Sequence, residues 1–307
     1  MNVFDSLSDV PKGSGLAIGI FDGLHCGHLE VIKAAKTSGS HGVLTFNPHP
    51  ATIVGNRRVP KRFLTTLEHK TALLAEFGLD FLIVLNFDRT RAEQRPRDFA
   101  TELFQTGVRR VSVGRDWRFG AARGGNVELL QEMGKTNGVE VLGIKQVGFQ
   151  GERISSSRIR EALDQSNFHL VTRLLGRNYS VLGPVIPGEQ LGRQLGFPTA
   201  NVKVSREYLP PEAVYAVQGR WDQGPWIPGV ANIGHRPTVK NSGGPLLEVH
   251  FLPNSIPDLY GKNLEVAFFK QLRLEKKFPG LVELRAQITE DAKTAGQFFE
   301  NPANETR

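Results

Sequence analysis

The sequence predicts a doubly wound α/β domain followed by a small all-β barrel with a C-terminal helix. The 307-residue length suits about two domains. The first part of the chain alternates strand-like apolar runs with helical patterns, which is typical of βαβ units. From Tyr179 onward, short apolar stretches are interrupted by glycine and proline, which indicates short strands. We therefore predict domains at 1–178 and 179–307, with the boundary near Arg177–Tyr179.

In the first domain, the strand-like runs are LAIGIF, GVLTF, FLIVLNF and RRVSVG. Helical patterns such as TTLEHKTALLAEFG and PRDFATELFQTG lie between them. The run FLIVLNF is continuously apolar, as in a strand buried on both faces of a parallel sheet. Because ligands of such sheets bind outside the carboxyl ends of the strands, we expect the functional residues there.

The second domain contains the apolar stretches YSVLGPVI, AVYAVQGRW, WIPGVANIG, LLEVHFL and NLEVAFFKQLR. Their short lengths and turn residues predict a small barrel. A final helical pattern should pack against it through an apolar stripe formed by Leu281, Leu284, Ile288, Ala292 and Ala295.

Composition excludes several classes of protein. No apolar run approaches the roughly 18 residues that a membrane span needs, so we expect no membrane association. The opening MNVFDSLSDVPKGSG does not resemble a secretory signal. Cys26 is the only cysteine, so an intrachain disulfide cannot form. These features together predict a cytoplasmic protein.

The formal net charge of +7 is concentrated in the first domain. Residues 1–178 contain 24 Lys and Arg against 18 Asp and Glu, whereas the remainder is nearly balanced. Such an excess fits either nucleic acid or a small nucleotide. Because the basic residues are dispersed, we expect small anionic substrates and no nucleic-acid partner. The sequence leaves homo-oligomer formation open.

The stretch GIFDGLHCGHLEVI joins the first strong strand to a helix. Gly19 and Gly23 allow a tight turn, and His25 and His28 lie three residues apart at the start of the helix. A helix N-terminus with two imidazoles suits a phosphate. The spacing fits a zinc pair less well, because helical zinc pairs are separated by four residues. Simple packing of the two rings is the remaining alternative.

Two further motifs fall where strands should end. In TFNPHP, Asn47 and His49 offer polar groups after the second strand. In VGRDWRFG, Asp116 is followed by Trp117 and Phe119, which either hold a planar ring or belong to the core.

The stretch ISSSRIREAL combines hydroxyl groups with positive charge. Ser155, Ser156 and Ser157 precede a helical pattern, and Arg158 and Arg160 lie within it. Hydroxyls, free backbone N–H groups and guanidinium groups together suit phosphate. Helix capping with a solvated basic face is the alternative for this stretch alone.

The second domain contains a different set of polar residues. In GRQLGFPTAN, Thr199 and Asn201 offer hard oxygen ligands suited to magnesium. Glu248 lies within the apolar stretch LLEVHFL, where a buried carboxylate would be costly unless it is used. Glu248 is therefore a candidate general base, although a solvent-facing position on an edge strand remains open.

Taken together, these motifs resemble the bacterial bifunctional riboflavin kinase/FAD synthetase family. GIFDGLHCGH, TFNPHP, VGRDWRFG and ISSSRIR are similar, in order and spacing, to its FMN adenylyltransferase module, and GFPTAN, GVANIGHRPT and EVH are similar to its kinase module. The resemblance implies a Rossmann-like nucleotidyltransferase fold followed by a six-stranded riboflavin kinase barrel. It also implies ATP as co-substrate, Mg²⁺ as cofactor, and riboflavin and FMN as substrates.

The resemblance also implies roles for individual residues. The catalytic set would comprise His25, His28, Arg158 and Glu248, with Thr199 and Asn201 on the metal. The remaining binding residues implied are Gly19, Phe21, Asp22, Gly23, Asn47, Asp116, Ser155, Ser156, Ser157, Arg160, Gly192, Gly196, Pro198 and Arg236.

The leading hypothesis is an enzyme that phosphorylates riboflavin to FMN and then adenylylates FMN to FAD. The alternatives are a riboflavin kinase whose first domain is inactive and a flavin-binding regulator without catalysis. Both His25/His28 and Glu248 are present, which favours two working sites.

Overall fold

The computed structural model describes residues 1–55, 62–188, 192, 195–204, 206–234, 246–253 and 256–301. The chain divides into two compact units. The first comprises Met1–Lys61 and Leu67–Ser155, and the second comprises Arg62–Thr66 and Ser156–Arg307. The second unit therefore includes a short segment from the N-terminal part of the sequence.

The first unit is built on a six-stranded parallel sheet. Its strands are β1 (Asn2–Phe4), β2 (Gly15–Ile18), β3 (His41–Asn47), β4 (Phe81–Asn86), β5 (Arg110–Gly114) and β6 (Glu140–Ile144). Its helices are α1 (Cys26–Ala34), α2 (Pro50–Ile53), α3 (Leu67–Glu76), α4 (Arg89–Glu93), α5 (Pro96–Gln105) and α6 (Val127–Thr136). A hairpin of β7 (Gly148–Phe149) and β8 (Glu152–Arg153) follows β6. The strand order is β1-β4-β3-β2-β5-β6.

The sheet is buried on both faces. Along β2, Leu16 belongs to one apolar cluster and Ala17 to another. Along β4, Phe81 and Leu82 are divided between the same two clusters. Because successive side chains of a strand point to opposite faces, the two clusters are the cores above and below the sheet. The predicted doubly wound α/β fold is confirmed.

The strand order places a crevice beside β2. This strand pairs in parallel with β3 on one side and with β5 on the other, and connections leave in opposite directions from such a point. Since β2 ends at Ile18 and α1 begins at Cys26, the loop between them lies at the carboxyl edge of the sheet.

The second unit is a closed antiparallel barrel with helices. Helices α7 (Ser156–Asp164) and α8 (Phe168–Leu175) precede it. Its strands are β9 (Tyr179–Ile186), β10 (Thr199–Val202), β11 (Ala213–Arg220), β12 (Ile227–Gly234), β13 (Leu246–Phe251) and β14 (Asn263–Leu274), and α9 (Leu281–Glu300) follows. The closed order is β10-β13-β12-β11-β14-β9, so the predicted six-stranded barrel with a C-terminal helix is confirmed.

Helices α7 and α8 belong with the barrel. The ring centroid of Phe168 lies 5.7 Å from that of Tyr215 and 6.1 Å from that of Phe268. The main part of this compact unit starts at Ser156. The domain division near Arg177–Tyr179 stays a prediction. The change in sequence texture at Tyr179 marks the first barrel strand, and texture alone does not reveal which core two preceding helices join.

Helix α9 packs less of its predicted stripe than expected. Ala295 is buried and Ile288 is half-buried, but Leu281, the first residue of the helix, is 57% exposed. The buried polar residue of this helix is Asp291, which accepts hydrogen bonds from Arg273 of β14.

Among the described residues, no helix has the length and apolar character needed to cross a membrane.

A buried ion pair joins three strands of the barrel. Glu265 of β14 accepts from Arg220 Nε at 2.7 Å and from Ser180 Oγ at 2.7 Å. The side chains of Arg220 and Glu265 are only 14% and 8% exposed. Removing one partner of a buried pair leaves the other charge uncompensated, which costs about 3–5 kcal/mol.

We therefore expect Glu265→Ala to lower the free energy of unfolding of the barrel unit by about 3–5 kcal/mol, since Arg220 would lose its carboxylate. Lys262→Ala removes the solvent-exposed pair with Asp222 and should cost at most about 1 kcal/mol. Urea denaturation followed by fluorescence measures both. Equal losses in the two variants would contradict the prediction.

Candidate active sites

The loop between β2 and α1 has an unusual backbone. Phe21, Gly23 and Leu24 all have positive φ, at 53°, 85° and 45°. The loop is fastened at the carbonyl oxygen of Ile20, which accepts from Lys70 Nζ at 2.6 Å and from the hydroxyl of Thr45 at 3.3 Å. Support from neighbouring elements therefore maintains a conformation that apolar residues rarely adopt.

Two glycines leave room for aromatic rings around this loop. A Cβ on Gly19 would lie 2.9 Å from the ring of Phe21, which is itself only 2% exposed. A Cβ on Gly27 would lie 3.2 Å from the ring of His25. The small residues let Phe21 and His25 pack closely against backbone.

The two histidines form a stacked pair at the start of α1. His25 is the N-cap residue, and its Nδ1 accepts from the backbone N–H of His28 at 3.2 Å. The two rings are 3.5 Å apart and nearly parallel, and the edge of Phe21 meets His28. The buried Nδ1 of His28 has no hydrogen-bond partner among the described residues. Packing and a polar role therefore coexist in this pair.

Electrostatics keep the imidazole of His28 neutral. Burial lowers the pKa of His28 well below its usual value, and the nearby positive charges of His25, Lys70 and Arg153 lower it further. Burial also lowers the pKa of Lys70 to about 8, against the opposing effect of Asp22. A neutral imidazole beside cations and a helix N-terminus suits an anion that brings its own charge.

Asp116 follows β5, the other strand beside the crevice. Its Oδ2 accepts from Gln146 at 3.2 Å and forms an ion pair with Arg153 at 3.0 Å. Arg153 lies on β8 of the hairpin and contributes to the field at His28. The structure thus links Asp116 to the histidine pair through one guanidinium group.

Of the two aromatic residues after Asp116, Phe119 is buried in the core and Trp117 is partly buried against it. Trp117 and Phe119 stack at 4.7 Å, and Phe119 is 7% exposed within the apolar cluster around Phe99.

The polar residues of TFNPHP lie at the end of β3 and the start of α2. Asn47 ends β3 with an exposed side chain, and His49 caps α2 by accepting from the N–H of Ala51.

The motif ISSSRIR spans the division between the two units. Ser155 is the last residue of the first unit, and Ser156, Ser157 and Arg158 open α7 in the second. Arg160 lies 5.9 Å above the ring of Tyr208 within the second unit.

Glu248 lies at the centre of a polar row on the barrel. In the strand register it is opposite Asn201 of β10 and opposite Asn232 of β12. Paired residues on antiparallel strands share a face, so the carboxylate is flanked by an amide on each side. The neighbours Leu247 and Val249 point to the opposite face and are fully buried. Glu248 is half-buried on a central strand of a closed barrel rather than on an edge strand.

The residues around Asn201 fit a divalent cation. Asn201 is 5% exposed, and its Oδ1 has no hydrogen-bond partner among the described residues. A Cβ on Gly188 would lie 2.2 Å from this amide, so the glycine keeps the space open. Thr199 is two residues earlier on the same face. No cluster of three or more His, Cys, Asp or Glu suited to a metal occurs in the described ranges. The candidate metal ligands Thr199 and Asn201 are therefore neutral oxygens outside any such cluster.

The segment before β10 supplies the remaining predicted binding residues. Gly192 accepts from the N–H of Phe197 through its carbonyl, and Gly196 has a φ of 88°. The carbonyl of Pro198 lies 3.0 Å from Nδ1 of His250. Arg236 lies outside the residues that the structure describes.

Sequence reasoning did not find Lys70, Arg153 or Asn232. Lys70 is within an ordinary amphipathic helix, and nothing in its spacing indicates a buried ammonium. Asn232 could have been found, because it lies in GVANIG on a strand that was predicted to pair within the barrel.

The two sites offer different chemistry. The first combines a helix N-terminus, neutral imidazole and fixed positive charge, which suits charge stabilisation on phosphates. The second combines a carboxylate with neutral oxygens, which suits removal of a proton beside a metal-bound phosphate.

Comparison with known proteins agrees with this division. The FAD synthetase family model matches residues 7–158, and the riboflavin kinase family model matches residues 175–299. A bifunctional riboflavin kinase/FMN adenylyltransferase of Escherichia coli K12 is 39% identical over 96% of both chains. A protein of the same description from Bacillus subtilis is 34% identical, covering 94% of this chain and 93% of its own.

One solved structure has the same fold over nearly the whole chain. A Streptococcus pneumoniae protein described as a macrolide-efflux protein superposes with a TM-score of 0.81, covering 96% of this chain and 98% of its own. At 24% identity this likeness concerns the fold alone. The two family models and the curated relatives carry the assignment: the chain belongs to the bifunctional riboflavin kinase/FMN adenylyltransferase family and contains both of its catalytic domains.

Proposed function

We propose that the barrel unit phosphorylates riboflavin to FMN and that the parallel-sheet unit adenylylates FMN to FAD, each with ATP. The observation that carries the proposal is the row of Asn201, Glu248 and Asn232, in which one carboxylate lies between two amides. The amide oxygen of Asn201 has no hydrogen-bond partner among the described residues. The named activities of the relatives support it. ATP as co-substrate and the single cysteine favour a cytoplasmic location.

In the kinase step, Glu248 accepts the proton of the riboflavin 5′-hydroxyl. The hydroxyl oxygen attacks the γ-phosphorus of ATP, the bond to the β,γ-bridging oxygen breaks, and ADP leaves. Backbone pairing with β10 and β12 holds the strand on which the carboxylate lies, opposite Asn201 and Asn232. Phosphoryl transfer mainly needs such positioning and charge stabilisation, so no covalent intermediate on the protein is required.

The kinase site would hold Mg²⁺ through oxygens of Thr199 and Asn201. The buried Oδ1 of Asn201 accepts no hydrogen bond from the described residues, as expected of an oxygen that binds a cation. When bound, the ion neutralises charge on the ATP phosphates. The protein contributes the fixed oxygens and the space left by Gly188.

In the adenylyl step, an oxygen of the FMN phosphate attacks the α-phosphorus of ATP and pyrophosphate leaves. His25 and His28, at the N-terminus of α1, bind the phosphates whose charge grows in the transition state. Asp116, Asn47 and the serines of ISSSRIR bind nucleotide or flavin in this proposal, and Arg158 adds positive charge.

A single assay tests the two activities against the alternatives. Purified protein is incubated with riboflavin, ATP and Mg²⁺, and the flavins are separated by chromatography. We expect FMN and then FAD. FMN without FAD would contradict the adenylyltransferase, and neither product would favour a flavin-binding regulator.

For the kinase site, we expect Glu248→Gln to reduce FMN formation by at least about 10²-fold, because the amide cannot accept the hydroxyl proton. Conversion of supplied FMN to FAD should remain within twofold of the wild-type rate, as measured by chromatography. Glu290→Gln on the exposed face of α9 is the matched control and should leave both rates unchanged. Loss of both activities in a folded Glu248→Gln protein would refute separate sites.

For the adenylyl site, we expect His28→Ala to slow FAD formation by about 10²-fold, because one phosphate contact is lost. The kinase rate should be retained. His169→Ala on the exposed face of α8 controls for loss of an imidazole elsewhere. An unchanged rate of FAD formation in His28→Ala would mean that this ring only packs.

For the metal, we expect Asn201→Ala to raise the Mg²⁺ concentration that gives half-maximal kinase rate by about tenfold or more. The loss of one oxygen ligand is the reason. Asn232→Ala, on the other side of Glu248, should leave this Mg²⁺ dependence in place. A metal titration of FMN formation distinguishes the two variants, and identical Mg²⁺ curves for wild type and Asn201→Ala would overturn the ligand assignment.

A further inference from the structure

Lys70 is a buried cation outside the predicted binding set. It lies on α3, is 6% exposed, and donates from Nζ to the carbonyl of Ile20 at 2.6 Å. Burying an ammonium group is costly unless it is paired and hydrogen-bonded. A core position of this kind is usually filled by an apolar residue. We therefore expect a role that needs the ammonium group of Lys70.

The carbonyl that Lys70 binds is the attachment point of the loop before α1. Thr45 is the second donor to it. Immediately beyond Ile20, Phe21 and Leu24 have positive φ, and the loop ends at the N-cap His25. Any loosening at Ile20 would therefore move the histidine pair.

The charged groups around Lys70 come from three elements. Asp22, on the loop after β2, raises the pKa of Lys70 against the effect of burial, leaving it at about 8. His28 of α1 faces Lys70, and His25 and Arg153 of β8 add positive charge around the same imidazole. Asp22 and Asp116, which forms an ion pair with Arg153, are the carboxylates that oppose these cations.

We propose that Lys70 is a positioning residue for FMN adenylylation: its buried ammonium fixes the loop that presents His25 and His28 and supplies positive charge to the phosphate site. The inference rests on the proposed adenylyltransferase role of the first unit. It gives a residue of α3 a role in the first site, although α3 contains none of the motifs found at the strand ends.

The proposal has a pH signature. Below about pH 8 Lys70 is protonated, and above it the group is neutral. A neutral amine still donates a hydrogen bond but loses its charge. Since kcat/KM reports ionisation of the free enzyme, kcat/KM for ATP in FAD formation should fall as the pH rises through about 8.

The test compares Lys70→Gln and Lys70→Arg with wild type between pH 6.5 and 9.5. Gln keeps a donor for Ile20 but has no charge, and Arg keeps the charge throughout this range. We expect Lys70→Gln to lower kcat/KM at pH 7 by about 10- to 100-fold and to lose the alkaline fall. Lys70→Arg should retain more activity and also lack the fall at pH 8.

Two controls separate this role from simple stabilisation. Thr45→Val removes the other hydrogen bond to Ile20 without changing any charge, so its rate should still fall at alkaline pH. The riboflavin kinase rate, measured in the same samples, should keep the wild-type pH profile in every variant. If Lys70→Gln does not fold, the pH profile of Lys70→Arg decides alone.

An alkaline fall that persists in Lys70→Gln or Lys70→Arg would overturn the proposal, as would an unchanged rate of FAD formation. Titration of the His28 ring by NMR, assigned with His28→Asn, does not depend on activity. The pKa of His28 should rise in Lys70→Gln, because one positive neighbour is removed. An unchanged His28 pKa would refute the coupling even if the wild-type protein made no FAD.

Discussion

The carbonyl oxygen of Ile20 is the point on which the geometry of the first site depends. The chain must turn from the buried strand β2 into α1, and Phe21 and Leu24 adopt positive φ to do so. Each such residue costs of order 1 kcal/mol or more, so the turn persists only because other elements hold it. Lys70 and Thr45 hold it by donating to the same oxygen. The sheet, through Thr45, and the helix above it, through Lys70, thereby determine where His25 and His28 lie.

Closure of the barrel imposes a comparable constraint on the second site. Every strand has two neighbours, so the register of β13 is fixed from both sides. A slip of one residue would turn Glu248 into the core and Leu247 out of it. The apolar alternation along β13 therefore also determines that the carboxylate lies beside Asn201 and Asn232. Core packing and placement of the candidate base result from a single register.

Sequence alone predicted the features that depend on local pattern. Two-sided burial of strands, the turn residues of the barrel and polar motifs at strand ends all follow from periodicity and residue type. The buried Lys70 could not be predicted, because its acceptor at Ile20 is fifty residues away and the intervening fold decides the distance. The buried Asp291 was missed for a similar reason, since only packing reveals that Arg273 faces α9. Side-chain partners across the fold are thus less predictable than the elements that carry them.

The second unit is discontinuous in sequence, because residues 62–66 belong to it. Glu207, 1% exposed, accepts from the N–H and hydroxyl of Thr66 and from the N–H of Leu182, and Tyr179 donates to the carbonyl of Leu64. A kinase fragment cut out at the first barrel strand would lose this segment. Deleting Thr66 removes two of these donors to a buried carboxylate, and unmade bonds to such a group cost about 1–3 kcal/mol. Separating the two activities by truncation therefore calls for a replacement donor to Glu207, or for an uncharged residue at position 207 that needs fewer donors, so that the barrel no longer depends on residues 62–66.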